Sequence, residues 1–212
     1  MGKIRTLRGS GESGLTIKVG IMKLCGALLL SLCCFAGVSR AAQINLATLT
    51  CVRYQNEIMA PPVPAPGADA INTMMWLFGY SVGKSGAHVM YGDALAGFGF
   101  ALDAECKNNP AMSLLDALAT IKPDNKKPMD LTGLECETFA SRHLELQQSD
   151  RESADTIMMW LFGFAVAKTG SHLFYSSALK DFEATLMADC KKNPGRSLFD
   201  ELLAVKFSAA KN

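Results

Sequence analysis

Met74-Met75-Trp76-Leu77-Phe78-Gly79 returns as Met158-Met159-Trp160-Leu161-Phe162-Gly163, 84 residues further along the chain. Outward from this run the offset holds over Met74–Lys122 and Met158–Lys206, where 25 of 49 aligned positions are identical. A period this long exceeds the roughly 20–50 residues of solenoid repeats, so the chain is a duplicated small domain. The run itself is apolar on more than one side. A helix of that kind is buried on several faces. Either it is simple core, or one side covers its own repeat while another packs against the sister repeat. Over a stretch this short the pattern also fits a buried strand, but the flanking periodicity favours helix.

That periodicity is clear downstream. Tyr91, Leu95, Phe98, Leu102 and Cys106 step by four, three, four and four, and Tyr175, Leu179, Phe182, Leu186 and Cys190 repeat the steps. This is one face of an amphipathic helix with a cysteine near its end. Asn109-Pro110 and Asn193-Pro194 break it. Ser113 with Asp116, and Ser197 with Asp200, then start a further helix as a capping box; the acid also suits the positive helix end. Cys51 and Cys136 lie near the start of an earlier short helix, after Ile44-Asn45-Leu46 and Met129-Asp130-Leu131. The expected fold is all-α, with two tandem repeats, each a bundle of about four short helices with one disulfide. Ala60-Pro61-Pro62-Val63-Pro64-Ala65-Pro66-Gly67 is an extended loop inside the first repeat, and Pro123–Pro128 is the linker between repeats.

Four cysteines follow an apolar leader. Lys18 and Lys23 precede the run Leu24–Val38, and Ser39-Arg40-Ala41 gives small residues at a signal-peptidase site. Residues 1–41 are therefore expected to be a secretory signal cleaved after Ala41, with Met22 a second plausible start. Cys25, Cys33 and Cys34 belong to that leader. Cys51, Cys106, Cys136 and Cys190 remain, and an even number in an exported chain indicates a disulfide framework. Three pairings are open. The duplication argues for Cys51–Cys106 and Cys136–Cys190. No Cys-x-x-Cys spacing supports zinc or redox chemistry.

Residues 42–212 carry 15 Lys plus Arg and 19 Asp plus Glu, a net of −4. No basic stripe interleaved with aromatics suggests nucleic acid. No Gly-x-Ser-x-Gly, His-Glu-x-x-His or phosphate loop supports catalysis. His88 and His172 are equivalent, each three residues before a tyrosine, but no carboxylate or cysteine stands at ligand spacing. The expectation is no enzyme, no metal and no cofactor. His143 has no counterpart in the other repeat and no sequence context.

The pattern Thr50-Cys51-Val52-Arg53-Tyr54, then Gly79-Tyr80, then Cys106-Lys107-Asn108-Asn109-Pro110 with Ser113-Leu114-Leu115-Asp116, resembles the HdeA/HdeB-type acid-stress chaperones. Glu135-Cys136-Glu137-Thr138-Phe139, Gly163-Phe164 and Cys190-Lys191-Lys192-Asn193-Pro194 repeat it. The resemblance implies small helical periplasmic proteins with one disulfide, dimeric near neutral pH, that come apart in acid and hold denaturing proteins. On that reading residues 42–122 are a first HdeA-like repeat and residues 129–212 a second. Pairing of the two repeats replaces the homodimer, and the partners are unfolded periplasmic clients. Nucleic acid and a stable membrane span after cleavage are not expected.

Charge supplies the switch in this reading. Protonating all 19 carboxylates and counting His88, His143 and His172 moves the net charge from −4 to about +18. Such self-repulsion destabilises a compact state, and the bridges limit how far the chain opens. The client-binding or interface residues are then Met74, Met75, Trp76, Leu77, Phe78, Phe98 and Phe100, with Met158, Met159, Trp160, Leu161 and Phe162. Gly97 and Gly99 stand within the third helix where the second repeat has Asp181 and Glu183, so the first repeat is expected to loosen first. A different class of function also fits a small exported helical protein with disulfides: an immunity protein that binds and inhibits a secreted toxin at neutral pH.

Overall fold

The computed structural model describes residues 43–60, 68–87, 89–91, 95–121, 128–175 and 177–206. The signal segment, the proline-rich stretch 61–67, His88 and residues 122–127 of the linker lie outside the described residues. The first half runs β1 (Gln43–Asn45), α1 (Cys51–Arg53) leading straight into a π-helical segment (Tyr54–Met59), α2 (Ala68–Lys84), β2 (Val89–Tyr91), α3 (Leu95–Asn108) and α4 (Leu114–Thr120). The second runs β3 (Pro128–Asp130), α5 (Cys136–Ser149), α6 (Arg151–Thr169), β4 (Leu173–Tyr175), α7 (Ala178–Lys192) and α8 (Leu198–Ala204). Among the described residues helices carry the fold, four α-helices to a half, as the apolar periodicity implies.

Two boundaries differ from the sequence expectation. Tyr91 and Tyr175 do not open the third helix of each half; they end the short strands β2 and β4, and the helices start at Leu95 and Ala178. Pro128 is not linker but the first residue of β3. Both differences have one cause. β1 pairs antiparallel with β4, setting Ile44 opposite Phe174, and β2 pairs with β3, setting Met90 opposite Met129. Each two-stranded sheet therefore takes one strand from each half. Period-2 patterning cannot be read over three residues, and the partner strand is distant in sequence.

Local geometry recurs in the two halves. Cys51 bonds Cys106 and Cys136 bonds Cys190, each with Cα atoms 4.8 Å apart. The Cys51 and Cys136 amides donate to the carbonyls of Met112 and Arg196, both at 2.9 Å. The Leu114 and Leu198 amides donate to Leu49 and Leu134, both at 2.7 Å. Ser113 Oγ accepts from the Asp116 amide and Ser197 Oγ from the Asp200 amide, both at 3.1 Å, which supplies the capping interaction the Ser-x-x-Asp spacing predicts. α6 begins on Asp150, whose carboxylate accepts from the Ser153 amide, and ends at Gly170 with φ 76°. That left-handed conformation suits a residue without Cβ.

The core is continuous through residues 43–206. α2 and α6 make its most extensive contact. Trp76, Leu77, Tyr80, Val82, Trp160, Leu161, Phe164 and Val166 are buried on these two helices. The Met-Met-Trp-Leu-Phe-Gly run is thus the centre of a seam between the halves as well as part of each half's own core.

Candidate functional site

The seam works because two glycines let two backbones touch. A Cβ placed on Gly79 would stand 2.0 Å from the Trp160 carbonyl oxygen, and one on Gly163 would stand 2.0 Å from the Trp76 oxygen. The two contacts exchange under the 84-residue offset, so the seam has the self-complementary form of a twofold dimer interface within one chain. Gly83 extends the close approach towards Phe164 and Ala167. The neighbouring tryptophans fill the flanks. Trp76 packs on Phe174 of the other half with ring centroids 4.9 Å apart, and Phe78 meets Trp160 edge-on at 6.4 Å.

Most of the sequence-chosen residues meet here. Trp76, Leu77, Phe78, Met158, Met159, Trp160, Leu161 and Phe162 are buried, and Met74 and Met75 are partly buried against the same core. Phe98 is also buried, with its ring 5.0 Å from Phe78; the equivalent Phe182 lies 5.2 Å from Phe162. Phe100 stands apart: it is 78% exposed on α3 and is not brought to the seam. Phe98, Leu102 and Cys106 are the buried positions of that helix, and Phe100, two places from each of the first two, points outward. The indole N–H groups of Trp76 and Trp160 are buried without hydrogen-bond partners. Each unpaired donor costs roughly 1–3 kcal/mol, a cost that parting of the seam relieves.

Two polar features break the symmetry. The Tyr80 hydroxyl lies 2.7 Å from His172 Nδ1 across the seam, whereas the position equivalent to Tyr80 is Phe164. Burial pushes the Tyr80 hydroxyl up to about 12. His143, without context in the sequence, has one in the fold. Its side chain is 1% exposed, and Nε2 lies 2.9 Å from Glu183 Oε1 and 3.1 Å from Gln147 Nε2. Glu183 stands where the first half has Gly99. Only the packing of α5 on α7 brings His143 and Glu183 together, 40 residues apart in sequence, so no local motif announces the pair. The replacement of a glycine by Glu183 is the one signal available beforehand.

Three surface carboxylates, Glu57, Asp103 and Asp150, are held towards the ionised form by their neighbours. The Arg53 guanidinium, hydrogen-bonded at 2.8 Å, holds Glu57 below the usual carboxylate range. The Lys107 ammonium lowers Asp103, against a smaller opposing effect of burial, and Gln55 lowers it further. Bonds from Ser153 lower Asp150. Burial lowers Lys168, whose ammonium sits 5.2 Å from the Phe164 ring centroid. Among the described residues no group of three or more His, Cys, Asp or Glu is placed to hold a metal ion, and no helix is long and apolar enough to cross a membrane. The arrangement offers apolar surface, kept shut.

Residues 115–200 match the family model described as HdeA/HdeB family. The matched segment takes in most of α4 and runs to Asp200 in the first turn of α8. No curated protein and no solved structure matches the chain.

Proposed function

We propose that this chain, a member of the HdeA/HdeB family through residues 115–200, is an acid-activated periplasmic holdase with its dimer partner fused in tandem. The family is one of acid-stress chaperones, not enzymes. The observation that carries the reading is the reciprocal contact of Gly79 with Trp160 and Gly163 with Trp76. One polypeptide builds an interface of dimer type from two copies of one apolar run, and that interface buries Trp76, Leu77, Phe78, Trp160, Leu161 and Phe162. Acid is the natural key. Falling pH removes the charge of carboxylates that the folded state holds ionised, and leaves Lys, Arg and His charges repelling one another.

The opened form exposes the Met-Met-Trp-Leu-Phe segments while the two bridges retain each half's first and third helices. Denaturing proteins bind that surface, and the high positive charge keeps the complexes dispersed. The first half opens ahead of the second, because Gly97 and Gly99 weaken α3. The test is light scattering of unrelated periplasmic proteins at about pH 2 and about pH 7 with and without the oxidised protein. Suppression of aggregation only in acid supports the proposal. Tight neutral-pH binding of one secreted toxin, with no protection in acid, replaces it with an immunity role.

A further inference from the structure

A cleft of about 300 Å³ opens where α2 and α4 meet the turn before β4, so both halves contribute to it. Its floor is polar. The Tyr80 hydroxyl lies 2.7 Å from His172 Nδ1, which sets the imidazole of the second half against α2 of the first. Ser81 is 4% exposed, and its hydroxyl has no hydrogen-bond partner among the described residues. The unpartnered buried atoms that are sealed from solvent are the two indole nitrogens and His143 Nδ1. The Ser81 oxygen is not one of them, so it stays open to the cleft that Ser81 lines. Leu115 and Leu118 of α4 supply an apolar wall. Two opposite charges complete the lining, Lys84 in the last turn of α2 and Asp116 in the first turn of α4. Both are exposed, and neither forms an ion pair with the other or with any other described residue. The Asp116 carboxylate accepts from the Ser113 hydroxyl through one oxygen, at 2.6 Å, and its second oxygen is unpartnered.

The second half shows what the cleft replaces. At the offset of 84, Phe164 and Ala165 stand for Tyr80 and Ser81, and Phe199 and Leu203 stand for Leu115 and Ala119. Both hydroxyls are lost there, and both wall residues are larger. The Phe164 and Phe199 rings lie 6.1 Å apart, and Lys168, the counterpart of Lys84, sits 5.2 Å over the Phe164 ring. That lysine has an aromatic face for its charge; Lys84 has no such contact among the described residues. The polar floor, the open volume and the uncommitted pair of charges are therefore features of the first half's end of the seam.

We propose that this cleft binds a small zwitterion, an α-amino acid with an aliphatic side chain. Its carboxylate pairs with Lys84 and accepts from the Ser81 hydroxyl, its ammonium pairs with Asp116, and its side chain covers Leu115 and Leu118. A lone anion meets Asp116 as a like charge, and a lone cation meets Lys84 as one. A ligand carrying both signs avoids either conflict. Burial pushes the Tyr80 hydroxyl up to about 12, so the floor under the ligand stays neutral at that position. Because His172 comes from the other half, the cleft exists only while the seam is closed, and a ligand held there favours the closed form by mass action. The inference does not depend on the chaperone reading, since it concerns the closed protein near neutral pH.

The experiment is amide and imidazole NMR of the oxidised full chain at about pH 7, titrated with L-leucine, isocaproate and isoamylamine. The last two are leucine without its ammonium and leucine without its carboxylate. The expected result is saturable leucine shifts at Ser81, Leu118 and His172, with a Kd on the order of 1 mM for a ligand this small. Each single-charge analogue is expected to bind about fivefold more weakly. Lys84→Gln is expected to weaken leucine about fivefold and to leave isoamylamine no weaker. Asp116→Asn is expected to weaken leucine by a similar factor and to leave isocaproate no weaker. Both positions are exposed, and the Ser113 cap accepts from the backbone amide of residue 116, so both variants retain the fold. Absence of saturable shifts with leucine overturns the proposal. So does either analogue binding as tightly as leucine, or K84Q and D116N both binding leucine as tightly as the parent.

Discussion

Gly79→Ala tests the seam most directly. The added methyl has its nearest neighbour in the Trp160 carbonyl oxygen at 2.0 Å, and real Cβ contacts essentially never fall below 3.0 Å. The obstacle is backbone, so it cannot swing aside. α2 and α6 must separate by at least about 1 Å, and a gap of that size already forfeits about a quarter to a half of each dispersion contact across it. Overpacking of ordinary cores costs about 1–3 kcal/mol; a rigid obstacle places this one near 4 kcal/mol, at the upper end for single substitutions. Alanine returns about 1 kcal/mol of helix propensity. The net destabilisation is then about 3 kcal/mol.

Gly163→Ala should cost the same, because it meets the Trp76 oxygen at the same 2.0 Å. The double variant should cost clearly less than the sum, since one separation of the helices relieves both clashes. Urea unfolding at neutral pH, followed by tryptophan fluorescence, measures all three. The seam reasoning fails if Gly79→Ala unfolds within about 0.5 kcal/mol of the parent, the range of an ordinary surface change, or if the two substitutions add. A variant that loses seam stability should also bind a hydrophobic dye at a higher pH than the parent.

Gly97→Ala has the opposite sign: nothing lies within 4 Å of the new methyl, so α3 should gain about 1 kcal/mol in urea unfolding and the first half should protect its amides to lower pH. Cys51→Ser with Cys106→Ser opens a bridge spanning 55 residues and should cost roughly 4 kcal/mol by the chain-entropy relation, read as a fall in the urea midpoint. Asp103 has its folded pKa below the unfolded one, so its contribution is present above the unfolded pKa and is lost as pH falls through the folded value; Asp103→Asn should be less stable at neutral pH and converge with the parent in acid. The pH of acid opening should not change over about a hundredfold range of protein concentration, whereas a true dimer loses about 2.7 kcal/mol over that range.

The repeat made the fold class and the helix count legible, because four-three spacing through Leu95, Phe98, Leu102 and Cys106 admits few other arrangements. The bridges followed from the same duplication. The Ser-x-x-Asp starts of α4 and α8 were readable because a cap is a local interaction. The strands were not, since three-residue segments carry no period and find their partners in the other half. Composition alone groups Phe100 with the apolar surface, yet it sits two residues from Phe98 and so faces solvent. His143 looks idle in the sequence because its partner Glu183 lies on a different helix. The glycines of the central run give the least warning. Gly79 and Gly163 are identical in the two copies, but only the crossing of α2 on α6 shows that a carbonyl occupies the space a side chain would need.

On the holdase reading proposed above, tandem fusion changes what acid would have to do. A dimer of separate chains is released by mass action, so charge repulsion need only exceed the association energy at the prevailing concentration. Here a short connection keeps the halves at an effective concentration on the order of millimolar however dilute the protein is. Separation also strips both small sheets, because β1–β4 and β2–β3 each take a strand from either half. Loss of the seam and loss of these edges are therefore one event. Repulsion must loosen the helices that present the seam as well as part it, and the half with the weaker third helix yields first. Gly97 and Gly99 make α3 that weak element, while the second half has Glu183 bonded to His143 and Gln147 at the corresponding level. The bridges then set the limit of opening, holding the start of α1 to α3 and of α5 to α7. On that reading, what emerges in acid is an unzipped apolar face on a chain still held by its two bridges.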